Sequence, residues 1–347
     1  MQHLTATWQA APARPTAANR RPANRSCSRL PLAAPSEPSP AMPPSPPASS
    51  APASRPNVPA ASGLPAQWEA ATLSAALQFE MRSAHTGRQY RILIGLPGEP
   101  APATGYPTLW MLDGSASFPL ASASLGRAVR HVPEARRPAP PAMPAGLTIA
   151  VAHAGACNFD VDARACDYTP EPDGAPGDLL SPAFGGAAAF RRFLVEELRP
   201  LIAARFPLDA SRHTLFGFSY GGLFTVDTLC TAPAHFQRYW AASPSLWFSD
   251  ALPMRRLRKS ARLPAGQVAR IMLTVGREEQ FPAAALPPER LAHLERRAMV
   301  GHVSEAAALL ATANPGVTVQ SIIAADHDHF DMLMHGARRA IAFAFGD

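Results

Sequence analysis

His213-Thr214-Leu215-Phe216-Gly217-Phe218-Ser219-Tyr220-Gly221-Gly222-Leu223-Phe224 is the stretch on which the reading of this 347-residue chain turns. A short apolar run enters it, Gly-x-Ser-x-Gly lies at its centre, and residues 223–230 leave it with helical character. Strand, tight bend and helix in that order lift a serine hydroxyl above the end of a sheet, on a strained backbone. Strand and helix can pass closely only if the residues two before and two after the serine are small. Gly217 and Gly221 meet that need, and Gly222 adds to it. With 22 glycines in the chain the five letters alone are a weak signal. The flanking strand and helix are what make Ser219 a candidate nucleophile.

Outward from that bend, strands and helices alternate. Residues 77–81 and 89–96 read as an antiparallel hairpin, and 108–112 and 147–152 as buried strands. Between 185 and 205, Phe190, Phe193, Leu194, Leu198, Leu201 and Ile202 recur at helical spacing. Beyond the bend, strands are expected at 239–243, 270–275 and 317–323, with one long helix over about 288–313 and a closing helix over 332–345. Apolar central strands alternating with helices imply an α/β domain over 67–347, its mostly parallel sheet covered on both faces.

A serine nucleophile needs a base, and the base needs an orienting acid. In this architecture they follow in the order serine, acid, histidine, each past a strand end. Gly276-Arg277-Glu278-Glu279-Gln280 follows the 270–275 strand, and Asp326-His327-Asp328-His329-Phe330-Asp331 follows 317–323. Chemistry alone leaves Glu278 and Glu279 open as the acid, and His327 and His329 open as the base. His153 also follows a strand, but it precedes the serine. A rival reading takes His327-x-His329-x-Asp331 as zinc ligands. Only His335 and Asp347 could complete that set, so it ranks second, and no metal or other cofactor is expected.

These segments carry a resemblance. From about 77 to 345 the chain is similar to the putative-esterase family of α/β-hydrolases, and within it to siderophore trilactone hydrolases. The matching pieces are Thr86-Gly87-Arg88, Leu112-Asp113-Gly114, Arg164-x-x-Asp167-Tyr168-Thr169-Pro170, the Ser219 segment, Ser243-Pro244-Ser245-Leu246-Trp247 and Gly276-Arg277-Glu278-Glu279-Gln280. The resemblance implies the α/β-hydrolase fold, Ser219 as nucleophile, His329 as base and Glu279 as acid. It implies backbone N–H donors for the oxyanion at Tyr220 and at Gly114 or Ser115. It also implies a small-molecule ester substrate, with a ferric or iron-free siderophore as the ligand. Phe218 stands where the family often has a polar histidine.

The excursion over 154–188 is long enough to overhang the serine. There Arg164 and Tyr168 are candidate substrate contacts, Arg164 for an anionic catecholate or carboxylate. The competing reading is an Arg164–Asp167 pair that holds the loop. Trp247 is expected as an apolar wall or as ordinary core.

Residues 1–66 hold 15 of the 39 prolines and no apolar periodicity, which predicts a disordered extension, with Met42 an alternative start. Six arginines against Glu37 give this tail five of the six formal positive charges. The high isoelectric point is thus no reason to expect nucleic-acid binding by the folded part. No run approaches the ~20 apolar residues of a membrane span. Leu30-Pro31-Leu32-Ala33-Ala34 is too short for a secretion signal, and the compartment stays open between cytoplasm and periplasm. Cys157 and Cys166 are close enough to pair. Within the same chemistry, the alternatives are a short-chain carboxylesterase, a thioesterase or an acyltransferase. From another class, the alternative is a non-catalytic binding protein that uses the basic tail.

Overall fold

The computed structural model describes residues 73, 75–125, 145–156, 158–178 and 181–346. The expected extension over 1–66 lies outside them, as does Cys157. Eight strands form one sheet in the order β1-β2-β4-β3-β5-β6-β7-β8. They are β1 (Ala76–Arg82), β2 (Gln89–Gly95), β3 (Tyr106–Met111), β4 (Leu147–His153), β5 (Leu208–Phe218), β6 (Arg238–Ala242), β7 (Arg270–Gly276) and β8 (Thr318–Ala324). The β1–β2 and β2–β4 pairings are antiparallel and the rest are parallel. Burial follows the composition. Leu-Thr-Ile-Ala-Val-Ala-His in β4 is buried at every position, as a strand covered on both faces must be, whereas edge strands β1 and β8 alternate.

Two apolar layers sandwich the sheet. On one face, Phe118 and Ala121 of α1 (Gly114–Leu125) meet Met332, Ala337 and Ile341 of α9 (His329–Phe345) over Met111 and Phe216. On the other lie α2 (Val161–Asp167), α3 (Ala187–Arg192), α4 (Arg199–Ala203), α5 (Tyr220–Thr231), α6 (Phe248–Lys259) and α8 (Met299–Ala313), with α7 (Pro288–Arg297) preceding α8. Phe190, Phe224, Met254 and Leu310 form this core against Trp110 and Leu215. Adjacent residues of β5 thus serve opposite layers, as the two-residue period of a strand requires. No helix among the described residues is long and apolar enough to cross a membrane.

Three helices depart from expectation. The 185–205 helix passes through a π turn at Phe193–Leu198, because Pro200 has no N–H to continue the regular ladder. The single helix expected over 288–313 is two, broken at Ala298, which adopts a left-handed φ of 44° with no glycine to announce it. The last helix begins at His329 rather than 332. The Asp328 side chain accepts from Phe330 N and Asp331 N, and Asp331 returns a bond to Asp328 N, a reciprocal cap.

Candidate active site

Ser219 sits between β5 and α5 at φ 60° and ψ −116°, a strained conformation for a residue with a side chain. Its N–H donates to Ala242 O and its carbonyl accepts from Leu223 N, so β6 and α5 both hold it. A Cβ on Gly217 would lie 2.0 Å from the carbonyl oxygen of Gly221, so strand and helix can touch only without one. Gly222 is equally constrained, its absent Cβ 2.8 Å from Ala242 O. Gly221 contributes its backbone rather than its smallness, since a Cβ there would meet nothing nearer than 3.4 Å.

The base and acid arrive by a second close contact. A Cβ on Gly276 would lie 2.3 Å from His327 O, and Glu278 N donates to that oxygen, so the turns after β7 and β8 touch. That brings His329, first residue of α9, beside Glu279. His329 Nδ1 lies 2.6 Å from Glu279 Oε2, and its Nε2 lies 3.0 Å from Ser219 Oγ. A carboxylate at Nδ1 requires a proton there, which leaves Nε2 as acceptor for the serine hydroxyl. Glu279 is buried, and its other oxygen accepts from Ser243 Oγ at 2.5 Å and Gly276 N at 2.8 Å. The Phe218 ring lies tilted against His329 at a centroid distance of 4.7 Å, so this apolar residue backs the imidazole.

The alternative residues go elsewhere. His327 is held by its own loop, Nδ1 2.6 Å from Ala325 O, and Glu278 makes no side-chain contact with either histidine. The pattern His327-x-His329-x-Asp331 does not converge. Its three side chains turn to a loop carbonyl, to Glu279 and Ser219, and to the α9 cap.

The residues expected to supply oxyanion donors, Tyr220 and Gly114 or Ser115, fall in the first turns of α5 and α1, where N–H groups lack intrahelical acceptors. Those two turns adjoin, Gly221 facing Leu112 and Asp113.

Arg164 departs from both readings made of it. Its Nε and Nη2 donate to Asp113 Oδ1 and Oδ2 at 3.0 and 2.9 Å, and Nη2 also to Phe218 O at 3.2 Å. Burial disfavours its charge, but Asp113 outweighs burial and raises its pKa. With its Nε and Nη2 occupied and its side chain buried, the guanidinium ties the β3–α1 turn to the residue before the serine. Tyr168 is also buried, its hydroxyl accepting from Asp113 N, and neither residue lines the cavity. Asp167 does not pair with Arg164. It takes Arg88 Nε, the Tyr90 hydroxyl and His153 Nε2, and so fastens α2 to β2 and β4. Cys166 beside it is disulfide-bonded.

Above Ser219 and His329 lies a cavity of about 590 Å³, within the usual range for small-molecule sites. Trp247 lines it, as one of the two expectations had it. The Tyr220 hydroxyl donates to Asp178 at 2.7 Å on the same wall. Val161 and Phe330, 60% and 61% exposed, stand at its rim. The sequence reading missed Arg297, which lies over the Trp247 ring at 4.2 Å and faces the cavity. One signal was available: Arg290, His293 and Arg297 recur at helical spacing on α7.

A serine raised on a strand–helix bend, an imidazole at hydrogen-bond distance and a buried carboxylate behind it define an α/β-hydrolase site. The chain belongs to the family described as putative esterase, whose sequence profile matches residues 83–309. It is 33% identical over 211 residues to ferri-bacillibactin esterase BesA of Bacillus subtilis, covering 58% of this chain and 69% of that one. It is 35% identical over 163 residues to the apo-salmochelin esterase of Escherichia coli O6:H1, covering 46% of this chain and 48% of that one, so the match spans about half the length of that relative. Among solved structures, the BES protein from Bacillus cereus superposes with a TM-score of 0.64 at 26% identity, over 81% of this chain and 98% of that one.

Proposed function

We propose that the chain is a serine esterase that hydrolyses the ester bonds of a siderophore-type trilactone through an acyl-enzyme. The observation that carries the reading is the linear relay Ser219 Oγ to His329 Nε2 and His329 Nδ1 to Glu279, at 3.0 and 2.6 Å. Ester hydrolysis has further support in the family, and the siderophore in the names of the relatives.

In this reading Ser219 attacks the ester carbonyl as its proton passes to His329 Nε2. Glu279 steadies the imidazolium and holds the tautomer. The oxyanion is received by N–H groups of Tyr220 and of Gly114 or Ser115, each such donor contributing about 3 kcal/mol. Collapse expels the alcohol, which takes the proton from His329. Water, deprotonated by the same imidazole, then releases the acid and restores Ser219.

The test is a fluorophosphonate label with the adduct mapped by peptide mass, joined to hydrolysis of a ferric and iron-free catecholate lactone panel beside p-nitrophenyl acetate. Labelling at Ser219, lactone turnover, and a loss of about 10⁴-fold or more in Ser219→Ala are expected. An adduct at another residue removes the mechanism. Turnover of the acetate alone removes the siderophore and leaves the short-chain carboxylesterase.

A further inference from the structure

Arg297 lines this cavity without an ion-pair partner among the described residues. Among the described residues its Nε has no hydrogen-bond partner, although it is shielded from solvent. Burial lowers its pKa, and Tyr220 and Asp178 only partly offset that. A guanidinium so placed has paid a desolvation cost that no ion pair with a carboxylate among the described residues repays. Of the carboxylates that share the cavity, Glu279 is engaged with His329, Asp328 with the α9 cap and Asp178 with the Tyr220 hydroxyl, and Glu278 lines the same cavity without forming an ion pair with Arg297.

Its position is fixed from two sides. Trp247 supports the flat face of the guanidinium, and Gly177, with Trp247 3.1 Å from where its Cβ would stand, lets the 170–178 strap pack behind that ring. The strap is itself pinned, Asp173 N and Gly174 N donating to Ser249 Oγ. On the other side, the left-handed Ala298 stops α7 directly after Arg297 and turns the chain into α8. Arg290 and His293 face the same cavity two turns and one turn earlier, and neighbouring arginines add to burial in lowering the His293 pKa. The α7 wall therefore gathers positive charge opposite an apolar rim.

We infer that Arg297, laid over Trp247, is an anion-recognition residue of this site, and that the preferred ester carries negative charge, a carboxylate or deprotonated catecholate, on the part that is not cleaved. The inference rests on the esterase reading and adds to it the charge of the substrate. A planar guanidinium presents paired donors that match two adjacent oxygens, the geometry of both groups.

The experiment compares two p-nitrophenyl esters of similar chain length, the neutral butyrate and the monoester of adipic acid, with wild-type protein, Arg297→Gln and Arg297→Lys. The readout is the ratio of kcat/KM for the charged ester over the neutral one. Losing a charge-assisted bond should lower that ratio by about 10- to 100-fold in Arg297→Gln, mainly through KM, with part retained in Arg297→Lys. A ratio unchanged in Arg297→Gln overturns the inference, whether both rates fall or neither does. No wild-type turnover of either ester or of the catecholate lactones would remove the esterase reading, and this inference with it, an outcome distinct from an unchanged ratio. Should Arg297→Gln fail to fold, inhibition of wild-type butyrate hydrolysis by 2,3-dihydroxybenzoate and by its neutral amide decides the matter. The anion is expected to bind at least about tenfold more tightly, and equal inhibition overturns the inference.

Discussion

Two regions of the molecule are built by different means. Around Ser219 and His329, position is set by backbone against backbone: Gly217 against Gly221, Gly276 against His327, and the capped start of α9 that presents His329. Elsewhere, side chains hold side chains across long stretches of sequence: Arg164 with Asp113 and Asp167 with Arg88, Tyr90 and His153, away from the cavity lining, and Arg297 over Trp247 on its wall. Backbone contacts tolerate only small residues and so leave glycines where a reader can see them. Side-chain pairs leave no such mark, because either partner could have paired elsewhere.

Three substitution series test that contrast. The largest effect belongs to the imidazole and its acid. His329→Ala should lower kcat by about 10⁴-fold or more, and Glu279→Gln by a smaller but still large factor. His327→Ala and Glu278→Gln should each stay within a factor of about three. Steady-state kinetics on any accepted ester measures all four, and a larger loss in His327→Ala than in His329→Ala would reverse the assignment.

Next come the folding effects of the close contacts. Gly217→Ala forces a Cβ into the Gly221 carbonyl and should cost roughly 3 kcal/mol or more, whereas Gly221→Ala should shift stability by only about 1 kcal/mol in either direction. Arg164→Met leaves Asp113 charged and buried, and should cost about 3–5 kcal/mol. Urea unfolding reads all three. Near-equal losses for the two glycines would mean that the elbow relaxes more easily than its geometry implies.

The smallest expected effect is a pH dependence away from the site. His213, buried with Nδ1 2.6 Å from Thr108 Oγ1, has its pKa lowered to about 4 by burial, with Arg199 adding to the shift. The unfolded chain therefore takes up the proton first as pH falls. Stability is held above about pH 6.5 and lost toward pH 4, by about 2–3 kcal/mol from this group. Denaturant titrations at about pH 7 and pH 4.5 should show that loss, and His213→Gln should remove that share of it. An unaltered slope in the variant would mean that the loss arises from other histidines.

The same contrast explains how much the sequence disclosed. The succession of strands along the chain, the bend at Ser219 and the chain order of acid and histidine were legible, because periodicity and glycine spacing are local. The choice of His329 over His327, and of Glu279 over Glu278, came from resemblance. In the structure the cap at Asp328 and the turn at Gly276 bring His329 and Glu279, rather than His327 and Glu278, beside Ser219. Arg164 was misread because its partner, Asp113, lies 51 residues earlier and the nearer Asp167 was the obvious choice. The break at Ala298 went unseen because alanine is a strong helix former, and with it went Arg297, whose aim depends on that break. Phe218, where the family often has a polar histidine, backs the imidazole with an apolar ring.

The Arg164 clamp also constrains movement. Swinging α2 away would strip three hydrogen bonds from a shielded guanidinium and strand Asp113 beneath it, so at about 4 kcal/mol only about one molecule in a thousand would have that roof raised. Val161, the first residue of α2, is thereby held in its place on the cavity lining, so this part of the wall is a fixed surface rather than a moving one.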